Sequence, residues 1–321
     1  MIDVHAHTVL PGVMGCAGHY GPELSVGPEG RPRFRVGDYV LDGVDYRDTP
    51  FMDVNRRLAL NDHLGIELQV LSPNPLTYFH HIEADVAAEF CRWHNDELAA
   101  IAAAHPDRLR GFAQLPMQDV DLAVAELHRA AELGLLGAYI GTDFGIDFDD
   151  ERLDILWATA TDLDVPIFVH PAPAGIDGPL RDPRIRKYDL DLSVGFMVEE
   201  TIAVACLIYG GVLDRHPGLD ICISHGGGAS AYMLGRLEHQ GRTRPWAREN
   251  PVDFQAGLQR LWFDNHLHDD DALALLTSKV GEDRLVVGTN LAGWDAPTAP
   301  GHIPHIEAYD ANARRLLRLD H

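Results

Sequence analysis

The sequence predicts an α/β protein of the (β/α)8 TIM-barrel class with a small β-hairpin insertion after the first strand. Eight short apolar runs alternate with longer segments of helical pattern. The runs show little alternation of polar and apolar residues, as in parallel strands buried on both faces. A length of 321 residues suits eight such units, whereas the alternative, an open doubly wound sheet, usually has fewer strands.

The apolar runs are residues 2–7, 65–72, 109–116, 137–142, 165–170, 219–225, 261–266 and 284–290. Helices are predicted at about 53–64, 83–105, 119–133, 150–162, 197–215, 230–241, 269–280 and 303–318.

Residues 11–52 interrupt this repeat. Most of the segment is rich in glycine and proline, and RFRVGDYVLDG (33–43) alternates in the manner of a β-hairpin. We interpret 11–52 as an insertion at the barrel mouth that forms a lid or an edge of the pocket; a packed surface excursion is the alternative. The whole chain, 1–321, is predicted to be one domain.

Composition limits the partners of the protein. The net charge of −23 argues against nonspecific binding to nucleic acid or anionic membranes. No apolar stretch approaches the roughly 20 residues of a membrane span, and no signal peptide is recognised at the first residues. The four cysteines are scattered and form no C-x-x-C, which favours the reducing cytoplasm. They are Cys16, Cys91, Cys206 and Cys222.

Four histidines fall at the ends of predicted strands, where TIM-barrel enzymes place their chemistry. His5 and His7 end the first run, and the period of two along a strand points both to one face, here the barrel interior. His170 ends the fifth run and His225 the sixth. A single histidine at a strand end is usually structural, but four at three strand ends predict a site for one divalent metal. Neutral imidazole suits zinc and similar ions.

The chain resembles the amidohydrolase superfamily at these positions: H-x-H on strand 1, His on strand 5 and His on strand 6. Within it, the sequence is similar to the branch that contains aminocarboxymuconate-semialdehyde decarboxylase. The similarity covers nearly the whole chain and is specific as a set. It includes GIELQVLSPNP, RLRGFAQLPMQD, IFVHPAP, IYGGVLDRHPGLDICISHGGGA and LGRLEHQGRTRP.

The resemblance implies roles for individual residues. His5, His7 and His170 would ligate the metal, usually zinc, although manganese is not distinguished. His225 would contact the water on the metal and take part in proton transfer. Arg57 and Arg244 match two arginines that hold substrate carboxylates, by bidentate contact. The second of these arginines reaches the neighbouring active site across a homodimer interface, which predicts a homodimer.

One residue departs from the superfamily pattern. Strand 8 usually ends in Asp, and this chain has Asn290 in GTN. The amide oxygen is a weaker metal ligand, and Asn cannot act as a base. The Asn is either engineered to trap a complex, natural with a mechanism that relies on His225, or a sign of weak metal binding and different chemistry. The following LAGWDAP also departs from the family, which favours a natural variant. Asp295 is a substitute ligand or a loop carboxylate, and Asp264 a partner for a ligand histidine.

These residues predict a metal-dependent nonoxidative decarboxylase, a carbon–carbon lyase, acting on an unsaturated or aromatic carboxylic acid. A hydrolase or hydratase on the same scaffold is the alternative, because the fold does not determine the reaction. A binding protein poor in metal is the third hypothesis. The retention of all four histidines argues against it.

Overall fold

The computed structural model describes residues 1–176, 182–299 and 301–319, and it contains a closed barrel of parallel strands. The strands are β1 (Ile2–Thr8), β2 (Glu23–Val26), β3 (Pro32–Val36), β4 (Tyr39–Asp42), β5 (Leu68–Pro73), β6 (Leu109–Gly111), β7 (Ala113–Gln114), β8 (Ala138–Ile140), β9 (Ile167–Val169), β10 (Ile221–Ile223), β11 (Trp262–Asp264) and β12 (Leu285–Val286). One parallel sheet has the order β1-β5-β6 and the other β7-β8-β9-β10-β11-β12. Only Phe112 separates β6 from β7, so the two form one barrel position. Parallel bridges from Asp3 to Val287 and from Ala6 to Leu291 close the ring. The predicted fold class is confirmed.

The helices surround this barrel. They are α1 (Val54–Leu64), α2 (Ala84–Ala104), α3 (Val120–Glu132), α4 (Asp154–Asp162), α5 (Phe196–Tyr209), α6 (Val212–Arg215), α7 (Ser230–Thr243), α8 (Phe254–Leu258), α9 (Asp270–Val280) and α10 (Ile306–Leu317). The helix predicted at 197–215 is divided into α5 and α6 by Gly210 and Gly211. Gly211 has φ of +69°, which ends one helix and redirects the chain into the next. The short α8 was not predicted.

The first strand contains an irregularity that the period of two does not anticipate. The pairing of β1 with β5 shifts register between Asp3 and Ala6. Val4 packs in the same apolar cluster as Phe168, and the next residue, His5, also lies against the Phe168 ring, at 5.5 Å between ring centroids. The shift corresponds to one extra residue in β1, a β-bulge, which changes the direction of the side chains around it. The shift therefore turns His5 and His7 into the barrel directly above its apolar core.

The insertion after β1 forms a three-stranded antiparallel sheet with the order β2-β3-β4. The predicted hairpin corresponds to β3 and β4, in which Phe34 pairs with Leu41. Phe34 is buried against Tyr46, so this sheet has its own apolar contacts. No described residue of 11–52 lines the two cavities, of about 780 and 790 Å³, that open near the carboxyl ends of the strands. The lid function stays a prediction.

One helical stretch corrects the expectation about apolar segments. Residues Asp191–Tyr209, a π-helical turn followed by α5, are 19 residues long, and an 18-residue window within them has a mean hydropathy of 1.7. The segment is long and apolar enough to cross a membrane, and core helices of soluble proteins meet the same criteria. Here α5 packs against the His225 turn and carries the buried Glu200, while 33% of the window is buried.

Candidate metal centre

Three histidines from two strand ends converge inside the barrel mouth. His5, His7 and His170 are all buried, and one ring nitrogen of each lies within 4.8 Å of the others. Their ring centroids are 4.8–5.1 Å apart. The structure therefore brings together the three residues predicted as metal ligands.

Hydrogen bonds fix the tautomer of each ring. His5 Nδ1 lies 2.6 Å from Asp264 Oδ2, His7 Nδ1 3.2 Å from the Pro73 carbonyl oxygen, and His170 Nδ1 2.6 Å from the Pro171 carbonyl oxygen. These oxygens only accept, so each Nδ1 carries the proton and each Nε2 presents a lone pair. Three lone pairs thus face the centre of the cluster.

Buried nitrogens without partners show that the cluster suits a cation. Among the described residues, His5 Nε2 and His170 Nε2 have no hydrogen-bond partner. Burial lowers the pKa of His5 and of His170, and it lowers the pKa of His7 to about 3. Neutral imidazoles with unsatisfied Nε2 atoms are what a divalent metal requires, and leaving them unpaired costs free energy.

Asn290 lies beside one member of this cluster. Its side chain lies beside that of His7, and its Nδ2 donates to Asp295 Oδ1 at 2.6 Å. A carboxylate only accepts, so this bond fixes the amide with its nitrogen toward Asp295. Asn290 Oδ1 is buried and has no hydrogen bond with any described residue. Asp295 is therefore a partner of Asn290, and it does not replace it beside the three histidines.

His225 lies next to the cluster and forms a buried pair with a glutamate. Its ring centroid is 5.0 Å from that of His170, and its Nδ1 lies 2.7 Å from Glu200 Oε1. Glu200 is fully buried and also accepts the hydroxyl of Ser224. Burial lowers the pKa of His225, but the charge and hydrogen bond of Glu200 outweigh it and raise that pKa to about 9. Without a metal ion beside it, the ring of His225 is therefore favoured in its protonated form.

A mostly apolar cavity of about 780 Å³ opens beside His225. Most of its wall comes from Met197, Val198, Ile202, Met233, Leu237 and Trp294. The polar side chains of this wall include His225, His266, His268 and Asp295, and the described lining contains no arginine or lysine. The volume lies in the range of small-molecule sites.

The structure shows what Arg57 contacts within its own chain. Arg57 is buried behind β1, where its guanidinium donates to Gln69 Oε1 at 2.9 Å and to the carbonyl oxygen of His7. It does not line either of the two cavities that reach His266 and His268. The two bonds use two of its five N–H donors and hold the strand that carries His7. Arg57 thus supports the cluster, and the substrate-binding role predicted for it stays a prediction.

Replacing Arg57 with Ala is expected to lower the free energy of unfolding by about 3 kcal/mol, because two buried acceptors lose their donor. The KM for substrate should change little in the fraction that folds. Denaturant unfolding and steady-state kinetics measure the two effects. Arg56→Ala is the matched control, since Arg56 is the exposed neighbour on the same helix. A large rise in KM without loss of stability would restore the substrate-binding role.

Arg244 lies at the C-terminal end of α7 and is exposed. It lines neither of the two cavities that reach His266 and His268. A contact with substrate in its own chain is therefore not seen, and the predicted contact with a neighbouring chain stays a prediction.

Sequence reasoning did not identify Glu200. Two adjacent glutamates in the otherwise apolar run MVEETIAVACLIY could have indicated it. A charge on the buried face of a helix needs a partner. The suggested role of Asp264 agrees with its bond to His5. His266 and His268 were not among the predicted site residues, yet both contact Asp295.

A closed parallel barrel with three converging imidazoles at its carboxyl ends defines a metal-dependent enzyme of the TIM-barrel class. The family model described as amidohydrolase matches residues 2–319, so the chain belongs to the amidohydrolase family. It is 31% identical over 271 residues to 2-amino-3-carboxymuconate-6-semialdehyde decarboxylase of Dictyostelium discoideum, covering 82% of this chain and 74% of the relative. It is 36% identical over 295 residues to gamma-resorcylate decarboxylase of Rhodococcus jostii, covering 82% and 87%.

Solved structures share the fold across the whole chain. IDCase of Metarhizium anisopliae in its apo form has a TM-score of 0.81 at 23% identity, covering 100% of this chain and 97% of that one. Dihydroxybenzoic acid decarboxylase of Polaromonas sp., with bound manganese, has a TM-score of 0.74 at 23% identity, covering 100% and 97%. A more distant relative, 2-keto-4-carboxy-3-hexenedioate hydratase of Sphingobium sp., is 23% identical over 304 residues, covering 88% and 83%.

Proposed function

We propose that this protein is a metal-dependent nonoxidative decarboxylase of an aromatic or unsaturated carboxylic acid. The observation that carries the proposal is the arrangement of three converging imidazoles beside the buried His225–Glu200 pair at the inner wall of an apolar cavity. Relatives above 30% identity are decarboxylases, which supports this reaction over others on the same fold.

The metal would be held by His5, His7 and His170, with Asn290 Oδ1 directed to the same centre. A divalent metal bound there supplies a Lewis acid that polarises substrate oxygen atoms. Asp264 and the carbonyl oxygens of Pro73 and Pro171 keep the three imidazoles in the ligating tautomer. We propose zinc first and manganese as the alternative. Imidazole nitrogen suits zinc, whereas an oxygen ligand also suits manganese. The Polaromonas structure contains bound manganese.

His225 would supply the proton that replaces the carboxyl group. In decarboxylation the bond between the substrate carbon and its carboxylate breaks, CO2 leaves, and the electron pair left on carbon takes a proton. His225 donates from Nε2 while Glu200 stabilises the imidazolium through Nδ1. His225 is then reprotonated from solvent. Asn290 has no carboxylate to exchange protons, so this task falls to the His225–Glu200 pair.

The cavity favours a flat apolar skeleton. Its walls provide apolar contacts for a ring or a conjugated chain, and water is displaced from them on binding. The described lining has no arginine or lysine, so the reacting carboxylate would be oriented by the metal centre and His225. This placement directs the carboxylate inward and leaves the ring in the apolar part.

The experiment that tests the function is CO2 release from a panel of aromatic and unsaturated carboxylic acids, with product mass measured in parallel. A product lighter by CO2 supports the proposal. A product heavier by one water, with no CO2, would instead establish the hydratase alternative, which the Sphingobium relative keeps open. Turnover by metal-stripped protein at the full rate would contradict the metal-dependent reaction.

Asn290→Asp is expected to tighten metal binding, because a carboxylate adds one negative charge to the ligand set. The gain should be opposed by repulsion from Asp295, which lies against residue 290. We expect a net increase in metal affinity of about tenfold or more, measured by competition with a chelator. Asn290→Asp combined with Asp295→Asn separates the two effects. Equal affinity in all three proteins would mean that residue 290 does not face the metal.

We further propose a homodimer in which Arg244 reaches the neighbouring site. Its exposed position outside its own cavity supports this arrangement. Mixing Arg244→Ala chains with inactive His225→Asn chains should then restore activity, since one site of each mixed dimer has both residues intact. Each parent alone should be weakly active. A monomer in solution, or no gain on mixing, would contradict the shared site.

We also propose a cytoplasmic location. All four cysteines are free in the structure, which suits a reducing compartment. Cell fractionation with an antibody to the full chain would test it, and recovery outside the cytoplasm would overturn it.

A further inference from the structure

A second group of metal-ligating side chains lies next to the three-histidine cluster. His266 and His268 follow β11, and Asp295 lies on the loop after β12. His266 Nε2 is 3.0 Å from Asp295 Oδ2, and His268 Nε2 is 2.9 Å from the same oxygen. The two Nε2 atoms are 3.1 Å apart. Three donor atoms of three side chains therefore form a nearly equilateral triangle.

The dimensions of this triangle match one face of an octahedral metal site. Two ligands at right angles, each about 2.1 Å from an ion, are roughly 3.0 Å apart. Two imidazoles and one carboxylate in this facial arrangement are typical of divalent first-row transition metals. Hydrogen bonding alone explains the triangle less well. Both ring nitrogens would share one carboxylate oxygen as acceptor while also facing each other at 3.1 Å.

The carboxylate of Asp295 is oriented for this purpose from its other side. Its Oδ1 accepts the Nδ2–H of Asn290 at 2.6 Å, which leaves Oδ2 to the two histidines. His266 is nearly buried, whereas the His268 side chain is 58% exposed. His268 also has φ of +55°, a strained value for a residue with a side chain. The triangle is thus held from inside the barrel and open to solvent at His268.

The site lies between two cavities. His266, His268 and Asp295 line both the apolar cavity of about 780 Å³ and a second one of about 790 Å³ near the C-terminal loop. The His266 ring centroid is 6.1 Å from that of His5 and 5.8 Å from that of His225. An ion held by three of six possible ligands would keep open positions for water or an anionic oxygen.

We propose that His266, His268 and Asp295 bind a second divalent transition-metal ion, beside the site of the three histidines. Its ligands come from the segment after β11 and the loop after β12, and none is shared with His5, His7 or His170. The proposal concerns metal binding and does not depend on decarboxylation.

Metal stoichiometry of the full chain tests the proposal. Metal-stripped protein is titrated with Mn²⁺ alone, and free Mn²⁺ is followed by electron paramagnetic resonance. We expect two ions per chain in the wild type and one in His268→Ala. Loss of a direct ligand should weaken the second site by at least about 100-fold, beyond the effect of an outer partner. His302→Ala is the matched control, since His302 is an exposed histidine on the second cavity, and it should keep two ions.

Further variants keep the two sites distinguishable. His5→Ala should also bind one ion, and its remaining ion should be lost on adding Asp295→Asn. Asp295→Asn alone should also bind one ion. It therefore tests the second site if His268→Ala folds poorly. One ion in the wild type, lost in His268→Ala and kept in His5→Ala, would support this site and contradict the three-histidine centre. One ion that His268→Ala retains would overturn the second site and leave the first intact.

Discussion

Replacing His170 with Ala is expected to remove the metal ion of the three-histidine cluster and to lower kcat/KM for decarboxylation roughly 10³-fold or more. The metal contributes several kcal/mol of charge stabilisation in such reactions, and about 1.4 kcal/mol corresponds to a factor of ten. His170 supplies one of three converging Nε2 lone pairs, so its loss leaves two imidazoles and an amide oxygen. Elemental analysis and initial rates measure both effects.

A thermal assay distinguishes lost binding from lost folding. Metal that binds only the native protein stabilises it by about 2.7 kcal/mol at 100 times its Kd. His170→Ala should therefore stay folded, and its rise in Tm on adding metal should shrink to the part that the proposed second site contributes. His94→Ala is the control: His94 is buried on α2 and should cost stability without changing the metal-dependent rise. Unchanged metal content in His170→Ala would place the ion elsewhere.

The second large effect is expected for Glu200→Gln, which should lower kcat by about 10²–10⁴-fold. The charge of Glu200 keeps His225 protonated and its bond to Nδ1 keeps the ring oriented. A glutamine amide retains the shape but cannot stabilise the imidazolium, and its NH2 can donate to Nδ1 and impose the wrong tautomer. Metal content and KM should change much less than kcat, because Glu200 does not touch the three metal-ligating histidines.

A structural role alone would give a different pattern. If Glu200 only supports packing, Glu200→Gln should lose stability and activity together, and Glu200→Asp should restore neither. If it acts through His225, the metal-dependent Tm rise should persist while kcat falls. Glu126→Gln is the matched control, because Glu126 is a buried carboxylate on α3 that pairs with Arg129. It should cost stability and leave kcat unchanged in the folded protein.

Most of the barrel could be predicted because its signal is local and repeated. Each strand is a short apolar run, and each major helix follows it in sequence, so errors of up to four residues at the ends did not alter the topology. The features that the sequence did not predict are those that do not repeat from one strand–helix unit to the next. The division between α5 and α6 depends on two glycines, and α8 has only five residues. The register shift in β1 depends on its pairing with β5, which is 60 or more residues away along the chain.

The sequence also indicated the three-histidine cluster, because strand ends of a parallel barrel meet at one rim whatever the details of packing. It did not indicate what each polar residue faces. Arg57 resembled a substrate ligand, but the fold turns it behind β1 toward the His7 carbonyl oxygen. Asp264 is 259 residues from its partner His5, and Glu200 is 25 residues from His225.

The sequence by itself determined the family, the alternation of strands and helices, and the residue types at the metal centre. Only the tertiary structure decided the tautomers, the protonation of His225 and the second triangle of His266, His268 and Asp295. The physical reason is that pKa and ligand geometry depend on burial and on atoms within a few ångströms. Those neighbours come from distant strands, and their approach is set by register and loop packing, which no local pattern in the sequence records.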